Sequence, residues 1–157
     1  MDKQFSKLPL RKGVGVALLN NNNQIFVGKR IDNPYDFWQM PQGGIDKNEN
    51  SFDAAIRELK EETSIINVEL IKEIKDQITY KLPDNLLGII WKGKFKGQTQ
   101  KWYIMRFLGT DSEINLKTNH PEFLEWKWID IENITDKVVD FKLHVYEKIK
   151  EELKKLI

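Results

Sequence analysis

The segment from Gly43 to Ile65, GGIDKNENSFDAAIRELKEETSI, gathers three glutamates, Glu58, Glu61 and Glu62, within five residues. On an α-helix, residues three and four apart are neighbours, with Cβ atoms about 5–6 Å from each other. The helix itself is expected over about Ser51 to Thr63, with Asn50 as N-cap and Asp53, three residues on, completing a variant of the capping box. Phe52, Ala55, Ile56, Leu59 and Thr63 then share one side and are expected to face the core, leaving the glutamates together on the other. Uncompensated, like charges there cost a few tenths of a kcal/mol per pair. A divalent cation turns that repulsion into binding, and an all-oxygen donor set suits Mg²⁺ or Mn²⁺. A solvated acidic face balanced by Arg57 and Lys60 is the other reading, and spacing alone does not separate the two. The chain has no Cys, which excludes disulfides, thiolate catalysis and Cys-based zinc sites. With only two histidines, His120 and His144, a metal site here must be rich in oxygen.

Counted from Gly43, the residues Glu49, Arg57-Glu58, Leu59, Glu61-Glu62 and Ile65 fall at separations that resemble the Nudix box, the signature of hydrolases that cleave nucleoside diphosphates linked to another group. The resemblance implies that Glu58, Glu61 and Glu62 bind cations and that Arg57 orients the carboxylates. Glu49 would stand behind them or act as an occasional ligand. One position departs from the family pattern: Ser64 stands where the family has Gly. A left-handed turn after the helix suits Gly, so Ser64 costs about 1 kcal/mol there or forces another exit.

The similarity extends beyond the box. LPLRKGVGVALLN, FVGKRIDNPYDFWQMPQGGI, YKLP, GQTQKWYIMRFLG, PEFLEWKWI and VDFKLHVY together resemble the bacterial RNA 5′-pyrophosphohydrolase branch of the family, which is similar to dinucleoside tetraphosphate hydrolases. That branch implies conversion of a 5′-triphosphate RNA end to a 5′-monophosphate, a step in RNA 5′-end processing and mRNA decay. By match to it, Arg11, Arg30 and Lys142 contact phosphate or the terminal nucleotide, and Gln39 lies near the metal site. Tyr80 and Phe141 offer a stacking surface for a base. Glu122, before the strand FLEWKWI, is the expected general base, with His120 or the box glutamates Glu61 and Glu62 as alternatives. Hydrolysis of diadenosine tetraphosphate or related nucleoside polyphosphates is the competing activity; an inactive nucleotide-binding regulator is more remote, because the glutamate trio is intact. Trp38, Trp102, Trp126 and Trp128 are expected in the core. Lys94, Lys96 and Lys101 form either a basic lip for RNA or a solvated loop.

The elements that must position these residues follow from periodicity. Val14–Leu19 and Gln24–Lys29 flank the Asn20–Asn23 turn and predict a hairpin. Residues 31–44 are loop-like, 68–81 mostly extended, and 83–99 irregular around a short strand. Lys101–Leu108 and Phe123–Ile129 read as strands. Val138, Phe141, Val145, Ile149, Leu153 and Leu156 mark an amphipathic C-terminal helix. This order gives an α/β sandwich around a mixed sheet, and the resemblance implies that it is a Nudix-like α/β/α sandwich.

At 157 residues the chain suits one domain over its whole length. No apolar run approaches the roughly 20 residues of a membrane span, and MDKQFSKLPLRKG lacks the apolar core of a signal peptide, so a cytoplasmic protein is expected. Its 25 basic residues barely exceed its 24 acidic ones. Wholesale binding to a nucleic-acid backbone, a DNA duplex above all, is therefore not expected, although a terminal RNA contact is compatible. Only four residues are Arg (Arg11, Arg30, Arg57, Arg106), and Lys cannot replace their planar fork.

Overall fold

The computed structural model describes residues 3–157; Met1 and Asp2, where the segment without a signal-peptide core begins, lie outside the described residues. A short helix α1 (Lys3–Ser6) precedes β1 (Leu10–Leu19), β2 (Gln24–Arg30), β3 (Gln42–Gly44), α2 (Ser51–Thr63), β4 (Val68–Glu73), β5 (Ile78–Lys81), β6 (Gly97–Phe107), β7 (Phe123–Asp130) and α3 (Leu143–Leu156). Side-chain alternation along the strands builds two cores. Val14, Val16 and Leu18 of β1 join Tyr103, Met105 and Phe107 of β6 beneath Ala54, Ala55 and Leu59 of α2. Ala17 and Leu19 join Trp102 and Ile104 on the opposite face, under Val145, Tyr146, Ile149 and Leu153 of α3. Two helices therefore cover the two faces of one sheet, in strand order β4-β6-β1-β2-β7, with β3 added to β1 and β5 to β6. The β1–β6 pair is parallel from Leu10↔Gly97 to Leu19↔Arg106 and the remaining pairs are antiparallel, which makes the sheet mixed as expected. No helix among the described residues is long and apolar enough to cross a membrane.

Three details differ from the sequence reading. The first hairpin pairs only next to its turn, at Leu19↔Ile25. Beyond it, residues 39–44 wedge between the strands: Gln39 bridges Gly28, the Val16 amide donates to the Pro41 carbonyl (2.9 Å), and β3 pairs with Gly13–Gly15. Phe52 lies at the edge of the core, partly exposed and edge-on to Tyr103, and Ala54 takes the inward place. The last helix begins at Leu143 rather than Val138, because residues 140–142 form a 3₁₀ turn that carries Phe141 and Lys142 up to the rim.

Candidate active site

Helix α2 starts as its sequence dictates. The Asn50 side chain accepts a hydrogen bond from the Asp53 amide (2.8 Å), and its own amide group donates to the Asp53 carboxylate (2.9 Å). At the other end Ser64 takes the left-handed conformation (φ 68°, ψ 6°) that its glycine-like position demands, with its amide bonded to the Lys60 carbonyl. Its hydroxyl donates to the Asn115 carbonyl (2.8 Å), an anchor that glycine lacks.

Arg57 organises one end of the acidic face. Its Nε and Nη2 grip both oxygens of Glu49 (2.9 Å each), Nη1 reaches Glu58 (2.9 Å) and Glu61 (3.1 Å), and Nη2 also donates to the Gly44 carbonyl (2.8 Å). Glu49 accepts one more bond from the Asp46 amide (3.0 Å), and these partners, Arg57 first, hold its pKa down at about 2. Both Glu49 oxygens are therefore engaged, which suits a supporting carboxylate better than a ligand. A Cβ at Gly43 would overlap the Glu58 carboxylate, so the box glycine is what lets that side chain lie against β3.

The other end is the reverse. Glu62 is buried (1% exposed), and neither of its carboxylate oxygens finds a hydrogen-bond partner among the described residues. Burial first, then the charges of Glu122 and Glu58, push its pKa well above the usual carboxylate range. Glu58 is raised to about 7, mainly by burial, with Arg57 opposing. The helix wheel thus groups the three glutamates correctly but misses their depth: Glu61 is exposed, Glu58 half-buried and Glu62 fully enclosed. A buried carboxylate left without donors, as Glu62 is, matches the chemistry of a divalent oxygen-seeking cation. Among the described residues no three acidic or imidazole groups already form a closed ligand set.

Opposite this pair stand the expected cations. Arg30 makes a bidentate bond to Asp32 (2.8 and 2.9 Å), a partner not recognised in the sequence, and its Nη1 lies 3.7 Å from Glu122. Lys142 is buried, and desolvation first, with Arg30 next, brings its pKa down to about 7 while Glu62 opposes that fall. Both cations line a cavity of about 510 Å³ that also includes Gln39, Tyr80, Phe141, Trp38 and Trp91. The Gln39 side-chain amide is buried without a partner among the described residues. Its backbone is pinned by Gly28, and the next amide, Met40, donates to the Tyr146 hydroxyl of α3 (2.8 Å). Tyr80 is buried beneath Phe141 (ring centroids 5.7 Å apart), so the tyrosine forms wall and the phenylalanine rim.

Several expected residues sit elsewhere. Arg11 is not among the cavity-lining side chains: it donates to Gln98 (3.0 Å) and rests over Trp91, 5.1 Å from the ring centre. Trp91, which does line the cavity, was missed because a tryptophan in an irregular segment gives no periodic signal. Only Trp102 of the four expected core tryptophans is fully buried; Trp126 and Trp128 pack on Phe26 at the sheet edge and Trp38 reaches the cavity. His120 is exposed in a second hollow with Glu61, Glu62 and Glu122. Lys101 pairs with Glu73 and Lys96 with the Ser6 carbonyl, and none of Lys94, Lys96 and Lys101 lines the cavity.

Residues 9–149 match the NUDIX domain. The chain is 68% identical over 150 residues to an RNA pyrophosphohydrolase of Pelagibacter ubique (strain HTCC1062), covering 96% of this chain and 95% of that one. It is 47% identical over 147 residues to an RNA pyrophosphohydrolase of Dinoroseobacter shibae, covering 92% of each. Among solved structures, the E. coli dihydroneopterin triphosphate pyrophosphohydrolase superposes with a TM-score of 0.69 over 93% of this chain and 99% of that one; at 21% identity this likeness bears on the fold alone. With the domain matched over most of its length and relatives this similar, the chain belongs to the Nudix family.

Proposed function

We propose that this chain is an RNA pyrophosphohydrolase that removes pyrophosphate from 5′-triphosphorylated RNA and leaves a 5′-monophosphate. One observation carries the reading: an enclosed Glu62 without donors feels the charges of Glu58 and Glu122 on one side and of Arg30 and Lys142 on the other, and those two cations line an aromatic cavity. Relatives named for this activity at up to 68% identity support it.

In this reading Glu58, Glu61 and Glu62 hold divalent cations, Mg²⁺ foremost and Mn²⁺ as a substitute. When bound, such a cation neutralises phosphate oxygens and lowers the pKa of water. Arg57 keeps Glu58 in place against Gly43, with Glu49 fixing the guanidinium. Glu122 accepts the proton of the attacking water as the anhydride bond between the α and β phosphates breaks and pyrophosphate leaves. Arg30 and Lys142 bind the phosphate charge that the carboxylates repel, Arg30 by exchanging Asp32 for phosphate oxygens. RNA as substrate implies work in the cytoplasm.

A product analysis under Mg²⁺ tests this. Triphosphorylated RNA should yield monophosphorylated RNA and pyrophosphate with a higher specificity constant than diadenosine tetraphosphate gives. Faster cleavage of the dinucleotide would overturn the RNA reading in favour of a nucleoside polyphosphate hydrolase.

A further inference from the structure

Trp91 sets side chain against backbone. Its φ of 52° and ψ of 36° lie in the left-handed region, and Lys92 follows it there at φ 58° and ψ 26°. Nearby, Gly88 and Gly93 adopt positive φ (76° and 70°) with no Cβ to crowd the next carbonyl. A bulky residue in that region is an outlier, and such strain persists only where the surroundings hold it, commonly at ligand clamps.

The surroundings here are specific. The Arg11 guanidinium lies over the indole ring, fixed from below by Gln98 (3.0 Å), and Phe95 packs edge-on with ring centroids 6.1 Å apart. The half-buried indole lines the same cavity as Phe141, Tyr80, Arg30 and Lys142, whereas Arg11 does not reach that lining. Arg30 and Lys142 both interact electrostatically with Glu62. Phosphates held between those cations and the carboxylates would leave the attached nucleoside at the aromatic cavity.

We propose that Trp91 is a specificity-determining residue that stacks against a nucleobase at the 5′ end of the RNA, with Arg11 a positioning residue that holds the indole in its strained pose. This rests on the RNA reading given above. Every base offers a π-face, so such a wall raises affinity for a nucleotide without selecting one base strongly.

The test uses triphosphorylated oligoribonucleotides with all bases present and matched ones abasic at the first or the second nucleotide. Stacking of this kind is worth roughly tenfold to hundredfold. Trp91→Leu should therefore lose about tenfold or more in kcat/KM on the complete RNA, mainly through KM, and little on one of the abasic RNAs. Trp91→Phe should recover most of the loss, and Arg11→Ala should weaken the same base-to-abasic ratio. That ratio is internal to each variant, so it does not depend on the folded fraction. Trp91→Gly removes the backbone strain and should lose the ratio without a matching drop in melting temperature, which a merely structural tryptophan would not do. An unchanged base-to-abasic ratio in Trp91→Leu would overturn the assignment. If the wild-type chain fails to cleave triphosphorylated RNA at all, the functional reading itself falls; if it cleaves but the Trp91 variants keep the ratio, only this inference does.

Discussion

The two ends of the acidic helix differ in how completely they are satisfied. Around Arg57, each carboxylate has a donor in place: Glu49, Glu58 and Glu61 all accept from the one guanidinium, which also donates to the Gly44 carbonyl. At the other end both Glu62 carboxylate oxygens are buried with no partner among the described residues, and the Gln39 amide is likewise unpartnered in the cavity that Arg30 and Lys142 line. Lys142 lies buried nearby with its pKa brought down to about 7. A buried group without a partner costs about 1–3 kcal/mol, more when charged, so a fold retains several together only where something else completes them. In the proposed reading Arg57 and Glu49 are scaffold for the ligand glutamates, and the Glu62 end is the part a cation and phosphates finish.

Breaking the Glu62 end should have the largest effect on turnover. Glu62→Gln keeps the shape and removes a charge, so hydrolysis should drop by about 10²–10³-fold, the scale of losing a preorganised electrostatic partner. In the absence of cation the same variant should melt at or above the wild-type temperature, because like-charge repulsion is relieved. Turnover near the wild-type level would remove Glu62 from the site.

Breaking the Arg57 end should show in stability first. Arg57→Ala strips the partner from Glu49 and Glu58, and charged hydrogen bonds of this kind are worth about 1.5–3 kcal/mol. At about 2–4 °C per kcal/mol for a chain of this size, calorimetry should record a fall of several degrees with or without cation. Arg57→Lys should rescue little of it, since an ammonium cannot span both Glu49 oxygens. A variant that melts normally would show the network to be dispensable.

The sequence reveals the scaffold end more fully than the other, for a physical reason. The Asn50 cap, the Glu49–Arg57–Glu58 grouping and the left-handed exit at Ser64 are local, set by spacing on one helix and its flanks. The surroundings of Glu62 are not local: the charges that act on it come from Glu122 just before β7, Arg30 at the end of β2 and Lys142 in the 3₁₀ turn before α3. Periodicity likewise locates β1 and β2 but not their separation, which depends on residues 39–44 entering between them. The Arg30–Asp32 pair was within reach, two residues apart, yet two such residues in a loop carry no geometric signature.

The same comparison has a pH signature when no divalent cation is present. Glu58 rises from 4.5 to about 7, and Glu62 rises in the same direction. Between the unfolded and folded values the folded chain binds more protons, so stability is full below about 4.5 and falls as pH climbs through about 7. Lys142 acts oppositely, its pKa having dropped from 10.5 to about 7: the folded chain then binds fewer protons, and stability recovers as pH rises toward 10.5. Thermal melting in chelator should thus pass through a shallow minimum near neutral pH; a monotonic rise from pH 5 to 9 would contradict these assignments.

The smallest effect belongs to Ser64→Gly. It relieves a left-handed residue by up to about 1 kcal/mol but forfeits the bond to the Asn115 carbonyl, of similar size, so stability should move by less than about 1 kcal/mol.

The most direct test of the distinction is the melting shift that Mg²⁺ produces at neutral pH in the wild type, Arg57→Lys and Glu62→Gln. The wild type should gain stability with saturable Mg²⁺ dependence. Arg57→Lys should start lower but still gain a clear part of that shift, and Glu62→Gln should gain almost none. A full wild-type shift in Glu62→Gln would contradict the assignment of the unpartnered carboxylate to cation binding.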